Sequence, residues 1–380
     1  MLRIGHFAAN MMAKGGISTY IQRLASAQRG RGSHVTLISN AIESEYGQEV
    51  HSTVDLFEVC RQNNLDILHL HTRISTLPEP DISVVRTVHT NSGGCPSGSR
   101  YLTSKNSPCD RKFGLVGCTW GHLVNHCGSR KPSRITHGFR NTRSEIEHSR
   151  RILTIAVSEY VRGEMIRAGC PPNNVHVLRS PAPVNDNPFC ESDDGDVVRL
   201  VFFGRIVSHK GLDWLVRALA TCPSNVVLDV AGDGNPREIA DVKALAVSLG
   251  IAERIHWHGW IDPAEVTVLI KAARAVVFPS VWHEPAGLVT LEAAAYGRPV
   301  IASKVGGIPE YGLPEFARLV SPHDVEALAN AIVDLAVDHR HANEMGSRGY
   351  QLAKGIFSME SFLEKQDELY DLARRVADEN

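Results

Sequence analysis

Short apolar runs rich in Val, Ile and Leu alternate with amphipathic stretches along most of the chain. The segments "LRIGHFA" (2–8), "HVTLIS" (34–39), "DILHLH" (66–71) and "ISVVRTVH" (82–89) have the β-branched character of strands. Between the first two, "GISTYIQRLASAQR" (16–29) repeats its apolar residues at helical spacing. Apolar strands separated by helices predict a doubly wound, mostly parallel α/β sheet. From Thr90 to about Ser149 the alternation gives way to a polar, Cys- and Gly-rich stretch with only weak helical signals. Loops of that length are as a rule functional or disordered. Order resumes with "RILTIAVS" (151–158), a helix near 159–168 and "NVHVLRS" (174–180).

Residues 181–197, "PAPVNDNPFCESDDGDV", are rich in Pro, Asn and Asp and predict a linker. Beyond them the pattern restarts. "VRLVFFGR" (198–205), "VVLDVAG" (226–232), "RIHWHGW" (254–260), "AVVFPS" (275–280) and "PVIAS" (299–303) read as strands with helices between them. The chain thus divides into two α/β halves, and a last helical segment follows. Open α/β sheets bind ligands outside the carboxyl ends of their strands, so two in tandem frame a cleft.

The length of 380 residues favours two or three domains. A net charge of −2 gives no general attraction to nucleic acid. The polar N-terminal stretch is not expected to be a signal peptide, and no run of apolar residues is long enough for a transmembrane helix. A cytoplasmic location is expected, and with it reduced thiols for most of the eight cysteines.

Candidate chemistry concentrates in "HEPAGLVTLEAAAYGRPVIAS" (283–303). Here Glu284 follows a strand end, and Glu292 lies within a predicted helix whose first turn is read as Ala286, Gly287 and Leu288. The free amides of a helix start suit an anion. Two carboxylates flanking such a start could accept hydroxyl hydrogen bonds at both ends of a polyhydroxylated molecule with a negative centre. Arg205 ends a strand and Lys210 precedes the next helix, a pairing of cations that suits a diphosphate. Gly15 and Gly16 open the first helix, where glycine permits close approach to a phosphate. His89 ends the strand "VVRTVH".

These segments resemble the retaining family 4 glycosyltransferases of the GT-B fold. "EPAGLVTLE" is similar to that family's E-P-x-G-L-x-x-x-E signature, and "FFGRIVSHKGLDWLVRAL" (202–219) to its phosphate-binding stretch. "VAGDG" (230–234), "HWHGWI" (256–261), "GRPVIASKVGGIPE" (297–310) and "AKGGISTYIQRLA" (13–25) follow in the family's order. The resemblance implies two Rossmann-like domains facing across a cleft. Residues 1–185 would bind the acceptor and carry the insert at 90–150. Residues 195–357 would bind a nucleotide-sugar donor, and the C-terminal helix over 358–380 would pack back on the first domain.

The resemblance also implies roles. Glu292 would hold ribose hydroxyls, and Glu284 would bind the transferred sugar or face its anomeric carbon. Arg205 and Lys210 would stabilise the leaving diphosphate. The amides of Ala286, Gly287 and Leu288, with Gly15 and Gly16, would touch sugar and phosphate. His89 would face the sugar across the cleft, and Gly232 and Trp260 would lie near the nucleobase. Glu310 is a further cleft candidate. No cofactor or metal is implied for catalysis, and no Asp-x-Asp pair stands near a strand end. A UDP-sugar is expected ahead of a GDP-sugar. The acceptor is expected to be a glycan or a lipid-linked glycan, in polysaccharide or glycolipid biosynthesis. The alternatives are another GT-B enzyme, such as an epimerase or glycan phosphorylase, and a non-catalytic sugar-nucleotide-binding protein. One departure is "RSPAPVN" (179–185), where the family often carries Asn-Gly-Val-Asp.

The insert holds Cys95, Cys109, Cys118 and Cys127, with His122 and His126 among them. Four cysteines can bind a structural zinc, although Cys-x2-Cys knuckles are missing; reduced or packed thiols are the other reading. Arg100, Lys105, Arg111, Lys112, Arg130, Lys131 and Arg134 make the region basic. That fits a solvated face or peripheral contact with an anionic membrane or lipid diphosphate. Aromatic residues are too sparse there for a nucleic-acid platform.

Overall fold

The computed structural model describes every residue except 12–15, 42–46, 50–52, 78–81, 193 and 379–380. In the first half, strands β1 (Arg3–Phe7), β2 (His34–Ser39), β3 (Gly47–Glu49), β4 (Ile67–Leu70) and β5 (Ser83–Val88) precede the insert. The insert contributes a two-stranded ribbon, β6 (Tyr101–Leu102) and β7 (Ser107–Pro108), and then β8 (Leu153–Ala156) and β9 (Val175–Val177) follow. The second half carries β10 (Val198–Phe203), β11 (Val226–Ala231), β12 (Ile255–Gly259), β13 (Ala275–Phe278), β14 (Val300–Ser303) and β15 (Ala317–Val320).

The first sheet runs β3-β2-β1-β4-β5-β8-β9 and the second β12-β11-β10-β13-β14-β15. Among the described residues every strand pair in both is parallel. Strands β4, β5 and β8 are buried along their whole length, as are β13 and β14. That is why β13 and β14 read as apolar runs without alternation, while β4, β5 and β8 bury His69, Arg86, Thr87 and Thr154 among their apolar residues. The fold is GT-B: two Rossmann-like α/β domains.

The 90–150 insert is more ordered than its sequence suggests. It contains helices Leu115–Leu123 and Pro132–His148. The second has Pro near its start and buries Ile135, Phe139, Thr142 and Glu145 on one side. Its apolar residues are few, so the helical period is faint, and a buried ion pair replaces part of the usual apolar contact. Glu145 Oε1 lies 2.9 Å from Arg86 Nη2 on β5.

Helix Met359–Asp378 lies on the first sheet, where Phe362, Leu363, Tyr370 and Ala373 pack with Ile4, Leu24, Ile67 and Val85. Each large apolar side chain buried there contributes on the order of 2 kcal/mol. The chain therefore crosses between the halves twice, and the crossings touch: Ala182 N donates to Phe357 O at 2.8 Å. No helix among the described residues is long and apolar enough to cross a membrane.

Candidate active site

Strand β10 has β11 on one side and β13 on the other, so the strand order reverses there and a crevice opens at their carboxyl ends. From β10 the chain runs through Gly204 and Arg205 into the turn Ser208–Lys210; from β13 it runs through Pro279 to Glu284. Val281 N donates to His209 O at 2.9 Å and stitches the two segments together. Lys210 Nζ then lies 2.5 Å from Glu284 Oε1, and Ser280 Oγ donates to the same oxygen at 2.8 Å. The ammonium stands 5.4 Å from the Phe278 ring centre and 5.7 Å from that of Trp282. Glu284 is buried, and a buried carboxylate needs such partners. Gly211 has φ +71°, and a side chain there would overlap the Pro279 carbonyl, so the lysine's turn can sit this close to β13.

The following helix spans Leu288–Ala295, later than the reading that placed Ala286 and Gly287 in its first turn. Gly287 is its non-helical cap (φ −115°, ψ 49°), wedged where an added Cβ would come within 2.9 Å of Tyr311 Cβ. Ala286 belongs to the turn before it, and Leu288 is exposed at the first position. Glu292, one turn in, is only partly exposed. Burial pushes its carboxyl up to about 7, opposed by the Arg23 charge on the first half's helix Gly16–Gly30. Glu292 thus feels both sides of the cleft.

Arg205 is exposed at the end of β10. Gly232 follows β11 with φ +152°, and a Cβ there would overlap the Gly204 carbonyl, so the loops after β10 and β11 touch. Gly232 N donates to Gly259 O at 2.7 Å, which places Trp260, 58% exposed, beside this floor. Gly16 begins the first helix, and among the described residues nothing lies within 4 Å of where a Cβ would stand on it. Gly15 lies outside the described residues.

His89 ends a chain of buried imidazoles that the sequence reading missed. His6 Nε2 lies 2.7 Å from Gln28 Oε1, His6 Nδ1 2.9 Å from His71 Nε2, and His71 Nδ1 3.0 Å from His89 Nε2. Gln28 spends its amide N–H on Gln366 Oε1 at 2.9 Å, so its oxygen must accept from His6. Each ring in turn donates through Nε2, and His89 Nδ1 is left as an acceptor. Burial, with Arg86 nearby, drives His89 down to about 3. His6, His69 and His71 lie close enough to share a metal ion, but all their ring nitrogens are engaged in hydrogen bonds. The signal was available: His69 on β4 and His71 just beyond it stand two residues apart, and His6 is the register partner of His69.

Contacts also cross the cleft. Ser158 Oγ donates to Pro285 O at 2.6 Å, and Asn91 Nδ2 to His283 O at 2.8 Å. Glu310 is not free for a ligand. Its two oxygens accept from Glu159 N at 2.7 Å and Tyr160 N at 2.8 Å, capping the helix Glu159–Ala168 of the other half. The insert reaches the loops after β10 and β13: His283 Nε2 lies 2.8 Å from Asp110 Oδ1, and the Tyr101 and His209 rings stand 5.6 Å apart. Cys95, Cys109, Cys118 and Cys127 line one cavity within the insert.

Residues 14–184 match the family model described as Glycosyltransferase Family 4, and residues 198–338 match Glycosyl transferases group 1. The chain belongs to glycosyltransferase family 4. Lipopolysaccharide core biosynthesis glycosyltransferase LpsE of Rhizobium meliloti is 33% identical over 168 residues, 44% of this family 4 chain and 47% of LpsE. A GDP-mannose-dependent α-(1-6)-phosphatidylinositol monomannoside mannosyltransferase of Mycolicibacterium smegmatis is 29% identical over 260 residues, covering 60% and 67%. The chain spans about half the length of the curated relatives it matches. Among solved structures, Anabaena HepE in complex with UDP superposes with a TM-score of 0.69 at 18% identity, over 97% of this chain and 99% of that one. At that identity the likeness bears on the fold of this family 4 member.

Proposed function

We propose that this family 4 chain is a retaining glycosyltransferase that moves a sugar from a nucleoside diphosphate sugar to an acceptor hydroxyl. The observation that carries the reading is the Lys210–Glu284 pair at the point where the second sheet reverses, with Glu292 standing beyond a helix start. Lys210 and Arg205 bind the diphosphate. The free amides of Gly287 and Leu288 at the start of that helix add to the positive potential. Glu284, released from Lys210 as the ammonium turns to phosphate, accepts hydroxyl hydrogen bonds from the sugar. Glu292 accepts from the ribose, and Gly232 and Trp260 flank the base.

In the reaction the bond from the anomeric carbon to the diphosphate oxygen breaks. The acceptor oxygen bonds that carbon from the same face, and its proton passes to the leaving phosphate oxygen. The cations stabilise the charge that grows there. His89 is unsuited to take the proton, because its Nε2–H is spent on His71 and its basicity is suppressed. It orients a sugar hydroxyl through Nδ1. Catalysis needs no metal in this scheme.

UDP is favoured as the donor nucleotide, in keeping with the UDP held by HepE, while the mannosyltransferase relative keeps GDP in play. LpsE acts in lipopolysaccharide core biosynthesis, which supports a glycan or lipid-linked acceptor. The insert fits such an acceptor at a membrane surface. Helix Leu115–Leu123 exposes Leu115, Val116 and Trp120 close in sequence to the exposed Lys112, an apolar face beside a cation of the kind that anchors to anionic lipid interfaces. Isothermal titration with UDP, GDP and ADP, followed by NMR of the product from the sugar donor of the nucleotide that binds, tests the reading. An α-donor giving an α-product supports it. An inverted product or an epimerised donor overturns it.

A further inference from the structure

Helix Leu115–Leu123 is inside out. Its buried residues are Gly121 and His122, whereas Leu115 is 64% exposed, Val116 84% and Trp120 57%. A nine-residue helix is marginal by itself, and in proteins it is ordinarily held by its apolar face. Here that face is turned away. The face turned inward presents Cys118 and His122, four residues apart and so on one side of the helix.

What they face is a cavity of about 20 Å³ whose lining also includes Cys95, Cys109 and Cys127, with Arg100 and Arg111. The thiols come from four separate segments of the insert: two loops, the helix and the turn after it. The polar groups around them are incompletely matched. His122 Nδ1 lies 3.0 Å from the Ser129 carbonyl and carries its proton there, so Nε2 is a buried lone pair, and it has no partner. Arg111 Nη1 is buried without an acceptor. It and Cys127 Sγ each lie 3.1 Å from the position a Cβ would take on Gly121, so guanidinium and sulfur are neighbours. A thiolate would give Arg111 its acceptor.

We propose that this cavity is a zinc site, its four ligands drawn from Cys95, Cys109, Cys118, Cys127 and His122, and that the ion fastens the insert across the cleft. Sulfur and imidazole donors select zinc over harder cations. Among the described residues no three of these donors stand within 4.8 Å of one another, so binding draws them inward by side-chain rotation. The ion supplies the cross-link that the outward-facing helix lacks. Its reach extends to the site. Tyr101, between the first two cysteines in sequence, packs on His209, and Asp110, next to Cys109, holds His283. Those two histidines adjoin Lys210 and Glu284 in sequence. This inference stands apart from the transferase reading.

The test is elemental analysis of the untagged full chain, purified without added metal, with its thiols counted. About one zinc per chain is expected. Cys118→Ser combined with His122→Ala leaves three of the five donors and should drop the content to about a tenth or less, whereas Cys190→Ser, at an exposed cysteine outside the insert, should leave it unchanged. Replacement by Co²⁺ should give thiolate charge-transfer and tetrahedral d–d bands whose intensities count the sulfurs. Because the double variant could misfold, the unaltered chain is decisive. Zinc-free protein, disulfides among these cysteines, or iron with inorganic sulfide would each overturn the site. Chelation should speed proteolysis of the insert at least about tenfold; an unchanged rate would overturn the fastening role.

Discussion

Lys210 Nζ rests 2.5 Å from Glu284 Oε1, closing a pair that joins the segment after β10 to the segment after β13. The two residues nevertheless have separable duties. Lys210→Ala should weaken UDP binding by about 100-fold or more, since it removes a charge-assisted phosphate contact. Glu284→Gln should keep UDP affinity within a few-fold and lower kcat by about 10²–10³. Calorimetry beside steady-state kinetics checks this. Equal loss of UDP affinity in both variants would contradict the division.

Glu292 has its carboxyl raised to about 7, above its ordinary value of 4.5. Below about pH 4.5 the group is protonated in both folded and unfolded chains and is neutral to stability. As pH climbs to about 7 the unfolded chain gives up its proton first, so stability falls, and above 7 the cost is constant. Glu292→Gln should therefore raise stability at pH 8 by on the order of 1–2 kcal/mol and leave it unchanged near pH 4.5. Donor affinity should drop at the same time. Thermal melts at the two pH values decide it.

The buried imidazoles work in the opposite sense. His6 is held down to about 4 and His89 to about 3, chiefly by burial. Their neutral state favours the fold above pH 6.5, and that stability is lost as pH falls through 4, because the unfolded chain takes up protons that the core refuses. The melting temperature should decline steeply between pH 6.5 and 4. His89→Gln, which keeps a donor toward His71, should shallow that decline. A slope identical to the parent's would remove His89 from the account.

Glu310 caps a helix of the other half with both carboxylate oxygens. Glu310→Ala should cost about 1–2 kcal/mol, as loss of a charged helix cap does. The KM for the sugar nucleotide should stay within about twofold. A selective rise in that KM, with unchanged stability, would restore Glu310 to the donor site.

Trp120 and Val116 are exposed on a helix beside basic residues. Trp120→Ser with Val116→Ser should abolish co-sedimentation with vesicles of phosphatidylglycerol and leave UDP affinity unchanged. Equal binding of the double variant would assign the patch another purpose.

The sheets were legible because their strands are buried on both sides: "AVVFPS" and "PVIAS" need no partner to be recognised. The Glu284–Glu292 stretch was legible as a candidate site because its chemistry lies within ten residues. What escaped was assembled from distance. No local pattern shows that Glu310 would engage amides 150 residues away, or that Tyr101 would settle on His209. The helix Pro132–His148 was muted because its attachment uses Glu145 and Arg86 in place of apolar residues. The sequence places the start of the helix after Glu284 two residues early; Gly287 keeps non-helical geometry in a site with no room for a side chain beside Tyr311, which comes from a later segment.

The hydrogen bond from Ala182 N to Phe357 O lies where both crossings pass between the halves. One tether would let the halves swivel freely. Two tethers laced together form a door hinge with a single pin. A relative turn of the halves would then be confined to axes passing near that bond.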